Sequence, residues 1–200
     1  MIGGMGETDY APRSPELMSR GDTALLVVDM QEKLLRLIPN QTRIVWNARR
    51  LIDGAKLLGL PIAASEQYPQ GLGPTAPELA ERLGPMPAKL MFSCRECTTL
   101  LASFRDRAVI KILLAGIETH VCIQQTALDL LAEGYRVYLA VDTTGSRYDI
   151  DRTIALRRLE SAGVTLTTTE AALFEWCEAA GTPEFKQISA LVREAPPVCG

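Results

Sequence analysis

The fold of this chain is decided at positions 109–122, which read VIKILLAGIETHVC. The first seven of these residues are mostly apolar and predict a buried strand. The nine residues that follow Cys122, IQQTALDLL, predict a helix. The cysteine therefore stands where a strand passes into the first turn of a helix. Helix N-termini expose unpaired N–H groups and a partial positive charge, so this position is favourable for a thiolate.

Short apolar runs alternate with longer amphipathic segments along the rest of the chain. We predict strands at 24–28, 61–65, 88–92, 109–115, 135–141 and 164–168, and helices at 43–59, 77–83, 98–106, 123–131, 150–162, 170–180 and 183–192. Such alternation implies βαβ units and a parallel sheet with right-handed crossovers. Ligands of these sheets bind beyond the carboxyl ends of the strands. Asp29 and residues 116–122 both follow strands at that edge.

The composition indicates one globular domain, with no nucleic-acid or membrane partner. Of the 200 residues, 47% are hydrophobic, which is enough to bury a substantial core. The net charge is −3 and the basic residues are scattered, a pattern unlike that of nucleic-acid-binding proteins. No window approaches the roughly 18 consecutive apolar residues of a membrane helix. We expect a flexible leader at 1–20, or an arm packed on a neighbouring subunit, a domain at 21–195 and a tail at 196–200.

The five cysteines are odd in number and are not accompanied by a secretion signal in the leader. Reduced thiols and a cytoplasmic location are the expectation. Cys94 and Cys97 have the spacing of a redox motif, but two incidental thiols near a helix start are the favoured interpretation. The sequence has no second pair with which they could form a zinc site.

Three residues are candidates for chemistry, each with a structural alternative. Asp29 can point a carboxylate into the cleft or serve as a turn residue. Lys89, flanked by apolar residues, can favour a nearby thiolate by its charge, or can be a surface lysine. Cys122 can be a nucleophile or a packed core residue. We predict Thr119 as the cap of the following helix and a structural role for His120.

Three stretches resemble the isochorismatase-like cysteine hydrolases: VVDMQ at 27–31, Lys89 with Phe92-Ser93, and AGIETHVC at 115–122. The order Asp, Lys, Cys matches that family, as does QTA at 125–127. The segment 66–75, EQYPQGLGPT, is similar to the branch of isochorismatase-domain-containing proteins. The resemblance extends from about residue 22 to residue 194.

The resemblance implies a single Rossmann-like domain with three α/β/α layers and a six-stranded parallel sheet. It also implies a catalytic triad of Asp29, Lys89 and Cys122, with a cis peptide bond between Ile117 and Glu118. In this mechanism Lys89 and the helix terminus lower the pKa of Cys122, and Asp29 accepts its proton. The backbone N–H groups of Glu118 and Cys122 hold the oxyanion.

Four further residues are candidate substrate contacts: Gln31, Glu66, Tyr68 and Ile117. For the first three, the alternative is support of the fold. Asp142 ends a predicted strand, and a turn role is expected for it. Homologues of this kind usually self-assemble, so we expect a homo-oligomer, dimeric or larger, that acts on a small molecule.

Two departures from the family narrow the expected chemistry. Nicotinamidases hold a metal through an Asp-x-His motif near the position of residues 66–68, together with further histidines. This sequence has one histidine, so that site cannot form, and no cofactor is expected. Enzymes acting on isochorismate generally lack the cysteine, so Cys122 argues for hydrolysis of a small amide or related acyl substrate through a thioester. The alternatives are a weakly active binding or scaffold protein, and a redox protein that uses Cys94 and Cys97.

Overall fold

Six parallel strands form one central sheet in the computed structural model, which describes residues 11–197. The strands are β1 (Thr23–Val28), β2 (Ile62–Gln67), β3 (Ala88–Lys89), β4 (Lys111–Ile117), β5 (Arg136–Gly145) and β6 (Thr165–Thr167). Their order across the sheet is β3-β2-β1-β4-β5-β6, and each neighbouring pair is parallel. The predicted α/β fold with a six-stranded parallel sheet is therefore confirmed. The strand order reverses between β1 and β4, which is where ligands bind in such sheets.

Helices cover both faces of the sheet. They are α1 (Glu32–Leu35), α2 (Gln41–Leu57), α3 (Pro69–Leu72), α4 (Pro77–Ala80), α5 (Thr98–Asp106), α6 (Gln124–Ala132), α7 (Asp149–Ser161), α8 (Thr169–Cys177) and α9 (Pro183–Val192). The first face carries α2, α8 and α9, and the second carries α5, α6 and α7. A 3₁₀ turn at Cys94–Glu96 precedes α5, and a π-helical turn at Thr119–Ile123 precedes α6.

The core is divided in two by the sheet because successive strand residues point to opposite faces. In β1, Leu25 and Val27 pack toward α2, whereas Leu26 and Val28 pack toward α5 and α6. All six residues of β1 are buried, as expected for a central strand of a parallel sheet. Full burial of such side chains contributes about 1.5–3 kcal/mol each. This packing holds the carboxyl end of β1 in place.

Gly116 allows β4 to lie unusually close to β1. Its φ is +138°, and a Cβ atom at this position would lie 2.0 Å from the carbonyl oxygen of Val28. Only glycine fits here, because any side chain would collide with the neighbouring backbone. The close approach brings the turn after β4 beside Asp29, which follows Val28.

The elements differ from the sequence predictions mainly at the carboxyl edge of the sheet. The predicted strand at 88–92 stops at Lys89, and Leu90, Met91 and Phe92 are exposed instead. Residues 69–72, which lie outside every predicted helix and strand, form the short helix α3, and β5 extends to Gly145 past an irregularity in its pairing with β4. Each difference lies where contacts with distant segments, and not the local sequence pattern, set the backbone conformation.

Part of the expected leader is packed against the domain. Met18 is fully buried, and its N–H donates to the Glu175 carboxylate. The Arg13 guanidinium donates to the Met18 and Glu175 carbonyls, and Lys111 Nζ donates to the Leu17 carbonyl. Residues 13–18 of the predicted leader thus make contacts with the domain, and residues 1–10 and 198–200 lie outside the described range. Within residues 11–197, no helix has the length and apolar character needed to cross a bilayer.

Candidate active site

Asp29 begins the candidate site directly after β1. Its backbone is left-handed, with φ +54°, and its N–H donates to the Ser65 carbonyl at 3.1 Å. A residue other than glycine in this conformation costs about 1–2 kcal/mol, so the surrounding contacts must impose it. The side chain is completely buried at the carboxyl edge of the sheet, where the strand order reverses between β1 and β4.

A buried ion pair joins Asp29 to Lys89. Asp29 Oδ2 lies 2.7 Å from Lys89 Nζ, and the exposed fraction of both side chains is 0%. The other carboxylate oxygen, Oδ1, accepts a hydrogen bond from Ser65 Oγ at 2.8 Å. Two buried charges are tolerated only when they are paired and hydrogen-bonded in this way. Ser65 therefore belongs to the site, although the sequence pattern around it did not predict this role.

The Lys89 ammonium is surrounded by oxygen acceptors. Besides Asp29, it donates to Gln67 Oε1 at 2.6 Å, to the Phe92 carbonyl at 2.9 Å and to the Met91 carbonyl at 3.2 Å. Burial is the largest single influence and by itself would lower the pKa of Lys89, but the charge and hydrogen bond of Asp29 together with the nearby Cys122 and Cys94 outweigh it, so the pKa is raised. The charged ammonium form of Lys89 is therefore favoured. Its three N–H donors are all engaged by these four acceptors.

Cys122 lies in the π-helical turn, close enough to this ion pair for both of its charges to act on the thiol. Its exposed fraction is 5%. Burial is the largest influence on the thiol and raises its pKa; the negative charge of Asp29 raises it further, and Lys89 opposes both. Lys89 therefore acts in the expected direction, but burial and Asp29 outweigh it, so the pKa of Cys122 is raised overall instead of lowered. The resting group is a neutral thiol beside a carboxylate that can accept its proton.

The turn of residues 118–122, here called the nucleophile turn after the role predicted for Cys122, is bonded to the segment 144–147 at the carboxyl end of β5. Thr119 Oγ1 lies 2.8 Å from Thr144 Oγ1, and His120 Nδ1 lies 2.9 Å from Ser146 Oγ. Glu118, rather than Thr119, occupies the cap position, and Thr119 is the first residue of the turn. The predicted cap is therefore wrong, because the Thr119 hydroxyl is used in the tertiary contact. The contact of His120 agrees with the structural role predicted for it.

Cys94 begins the 3₁₀ turn beneath this site, and Cys97 directly follows that turn. Both thiols are buried, and Cys94 Sγ is 3.4 Å from Ser65 Oγ. The Cys94 N–H donates to Thr126 Oγ1 at 3.0 Å, which ties the turn to α6. Cys94 thus packs against the hydroxyl that holds Asp29. Cys199 lies outside the described residues.

A sequence profile described as the isochorismatase domain matches residues 23–171, which include every site residue named above. The chain belongs to the isochorismatase family. This identification confirms the resemblance carried by Asp29, Lys89 and the nucleophile turn. The isochorismatases are a family of hydrolases. The polar cluster lies at the carboxyl edge of the parallel sheet, which is where such sheets bind their ligands.

Relatives within the isochorismatase family align over nearly the whole chain. Isochorismatase domain-containing protein 2 from Bos taurus is 42% identical over 181 residues, covering 90% of this chain and 87% of the relative. The structure of MAR1 ribonuclease from Caenorhabditis elegans is 38% identical with a TM-score of 0.84, covering 92% of this chain and 96% of that one. The YcaC gene product of Escherichia coli, described as an octameric hydrolase of unknown specificity, shares the fold at 24% identity and a TM-score of 0.79, covering 90% and 89%.

Two candidate substrate contacts of this isochorismatase-family site are buried in supporting positions. The Gln31 amide donates to the Gln67 and Gly73 carbonyls and accepts from the Gln67 N–H, so it joins β2 to the loop after α3. The Ile117 side chain is fully buried in the core beneath α2, on the other face of the sheet from Cys122. Neither side chain is exposed to a ligand here.

The other two candidates lie nearer the surface of the isochorismatase-family domain. Glu66 accepts from the Thr75 N–H and hydroxyl, at 2.7 and 2.8 Å, and so orders the loop 69–75. Tyr68 is exposed, with a left-handed backbone, and its ring covers Gly71. Of the four, Tyr68 alone presents a side chain at the rim.

Two residues of the site escaped the sequence analysis of this isochorismatase-family chain. Ser65 and Gln67 alternate along β2, so their side chains point to the same face, toward Asp29 and Lys89. Polar residues two apart at the carboxyl end of a buried strand were the available signal. Asp142, in contrast, accepts from the Thr169 N–H and hydroxyl at the start of α8, in agreement with its expected turn role.

The described residues of this isochorismatase-family member offer no ready metal centre. Between residues 11 and 197, no three His, Cys, Asp or Glu side chains are grouped so that they could hold a metal ion. The peptide bond between Ile117 and Glu118 is cis.

Proposed function

We propose that this protein is a cysteine hydrolase that cleaves a small amide or related acyl substrate through a thioester on Cys122. The observation that carries the proposal is the buried Asp29–Lys89 pair facing the thiol. A carboxylate and a fixed positive charge beside a cysteine provide a base and electrostatic stabilisation for nucleophilic attack.

In the first step, Asp29 accepts the proton of the Cys122 thiol as the sulfur attacks the carbonyl carbon. The raised pKa of the thiol means that a free thiolate is scarce, so proton transfer and attack occur together. Lys89 remains charged throughout and stabilises the negative charge that develops near the sulfur. Its engaged hydrogens make it an electrostatic group rather than a proton donor.

In the second step, the tetrahedral intermediate collapses. The oxyanion is held by the N–H groups of Glu118 and Cys122, each worth about 10²–10³ in rate. Asp29 returns the proton to the nitrogen of the leaving amine, the C–N bond breaks, and a thioester remains. Water then attacks the thioester while Asp29 takes its proton, and the thiol is restored as the acid leaves. The sum is amide plus water to acid plus amine.

Ribonuclease activity, which the name of the C. elegans neighbour states for that protein, is less well supported in this chain. The net charge of −3 opposes RNA binding, which depends on neutralising phosphates. His120, the one histidine, is hydrogen-bonded to Ser146. The buried thiol and carboxylate suit acyl transfer better.

The test is a screen of small primary amides for ammonia release, run beside Cys122→Ala and the matched control Cys177→Ala. Intact-mass spectrometry after rapid acid quench detects the acyl-enzyme as a covalent adduct on Cys122. Turnover that is lost in Cys122→Ala and kept in Cys177→Ala supports the proposal. Turnover that survives Cys122→Ala overturns the proposal. If no amide of the panel gives either ammonia or a covalent adduct, the result favours a scaffold protein. A labelled RNA in the same screen tests the ribonuclease alternative.

We also propose that the protein forms homo-oligomers. Three successive apolar residues beside the site, Leu90, Met91 and Phe92, are exposed, and contiguous exposed apolar side chains are typical of protein–protein interaction sites. The octameric state stated for the E. coli neighbour is consistent with self-assembly on this fold. Light scattering coupled to size-exclusion chromatography decides the point, since a monomer at micromolar concentration would contradict it.

A further inference from the structure

Arg147 lies beside the nucleophile turn and is held there by Glu118. The Arg147 N–H donates to Glu118 Oε2 at 3.0 Å, and Arg147 Nε donates to the same oxygen at 3.3 Å. Glu118 is the cap residue of the turn that carries Cys122. One ion pair therefore separates the guanidinium from the backbone that is proposed to hold the oxyanion.

The Glu118 contact occupies only the inner edge of the guanidinium. The exposed fraction of the Arg147 side chain is 49%, against 9% for Glu118. Between residues 11 and 197, Nη1 and Nη2 of Arg147 make neither a hydrogen bond nor an ion pair. Because a guanidinium donates from both edges of its plane, the outer edge is available to solvent or a ligand.

The segment that carries Arg147 is well anchored. Thr144 and Ser146, just before it, bond to Thr119 and His120 in the nucleophile turn. These contacts, with the Glu118 pair, fix the position of Arg147 relative to Cys122. A side chain fixed in this way loses less conformational entropy on binding a ligand than a mobile arginine does.

The charged groups at the start of α7, next to Arg147, are two aspartates and Arg152, whose guanidinium donates to the Val141 carbonyl. Asp149 and Asp151 lie in the first turn of α7, and Asp151 is 3.8 Å from His120 Nε2. Together with Glu118, they weaken the attraction of a distant anion, so recognition depends on direct contact at the outer edge of the guanidinium. A planar carboxylate matches this edge with two parallel N–H···O bonds.

We propose that Arg147 determines specificity by binding a carboxylate of the substrate, so that the substrate class is a small amide that also carries a carboxylate. This inference rests on the proposed function, because it places the anion next to an acyl group at Cys122. A neutral amide would lack the second anchor and would be oriented less well for attack.

The test compares two alkylating reagents that differ in charge, iodoacetate and iodoacetamide. Rates of Cys122 modification are followed by mass spectrometry in the full-length wild type, Arg147→Gln, Arg147→Lys and the control Arg105→Gln. Arg105 is exposed at the end of α5, on the amino edge of the sheet. Cys177 in each protein serves as the internal reference thiol. Circular dichroism confirms that each variant is folded.

We expect the iodoacetate-to-iodoacetamide rate ratio at Cys122 to fall about fivefold in Arg147→Gln, a change typical of one partly exposed ionic contact. Arg147→Lys retains most of the ratio and Arg105→Gln leaves it unchanged. Added salt reduces the wild-type ratio toward that of Arg147→Gln, because exposed charges are screened.

Equal ratios in wild type and Arg147→Gln overturn the inference and leave the proposed hydrolase untouched. A ratio that depends on Arg147 in a protein without amide turnover supports the anion site and contradicts only the proposed function. If Cys122 reacts with neither reagent while Cys177 reacts with both, the thiol is closed to ligands and both proposals fail.

Discussion

Asp29 Oδ2 and Lys89 Nζ lie 2.7 Å apart with both side chains withdrawn from solvent. The two residues are 60 positions apart in the chain and arrive at the same edge of the sheet from β1 and β3. The pair is stable because Ser65 and Gln67 supply further hydrogen bonds from β2, the strand between them. Removal of either charge leaves the other buried and unpaired, away from water.

We therefore expect Lys89→Met to lower the free energy of unfolding by about 3–5 kcal/mol, since Asp29 is left as an uncompensated buried charge. Arg105→Met is the matched control: its pair with Glu133 has the same 2.7 Å distance, but the side chains are 57% and 33% exposed. Loss of that pair costs about 0–1 kcal/mol. Urea unfolding measures both. Similar losses in the two variants would contradict the importance assigned to burial.

The pH dependence of Cys122 alkylation should respond in opposite directions to the two charges. Asp29 raises the pKa of Cys122 and Lys89 lowers it. Wild-type Cys122 should therefore react with iodoacetamide mainly above the usual cysteine range near about pH 8.5. In Asp29→Asn the midpoint should move to lower pH, because a negative charge that opposed the thiolate is gone. In Lys89→Met it should move to higher pH.

Amide turnover should nevertheless be lost in Asp29→Asn, because the proton acceptor is absent. A more reactive thiol without turnover separates the role of Asp29 as a base from its electrostatic effect. Midpoints that shift in the same direction in both variants would show that the thiol does not sense these charges as the structure indicates. Cys177 provides the reference titration in each sample.

Gly116→Ala should destabilise the fold by at least about 3 kcal/mol, because its Cβ would lie 2.0 Å from the Val28 carbonyl and the two strands would have to separate. Gly134→Ala is the control, since Gly134 also has a positive φ, +90°, but no atom lies within 4 Å of the added Cβ. That change should cost about 1 kcal/mol. Thermal or urea unfolding distinguishes a steric cost from a purely conformational one, and equal losses would exclude the steric explanation.

Gln31→Ala should act on stability rather than on ligand contact. Its buried amide makes three hydrogen bonds, to the Gln67 backbone and to Gly73, and their unpaired partners would cost about 2–3 kcal/mol in total. Gln125→Ala, at an exposed position of α6, should change stability by less than about 0.5 kcal/mol. A Gln31→Ala protein as stable as the wild type would restore Gln31 as a candidate for direct substrate contact.

The helices and strands followed closely from local pattern. The helix predicted at 98–106 coincides with α5, and the one predicted at 183–192 coincides with α9. Both are amphipathic segments whose buried faces repeat at helical spacing, which the sequence displays directly. The strand predicted at 88–92 was too long, because Lys89 turns inward and the carbonyls of Met91 and Phe92 bend back to its ammonium. No local pattern contains that contact.

The sequence by itself determined the parallel α/β fold, the edge of the sheet where the site lies, and the location of Cys122 in the first turn after β4. These properties follow from hydrophobic periodicity, which acts over neighbouring residues. Only the tertiary structure decided that Ser65 and Gln67 support the ion pair, that Gln31 and Ile117 are buried, and that the pKa of Cys122 is raised. Burial and electrostatic interaction depend on distances between segments far apart in the chain, and those distances exist only once the strands have come together.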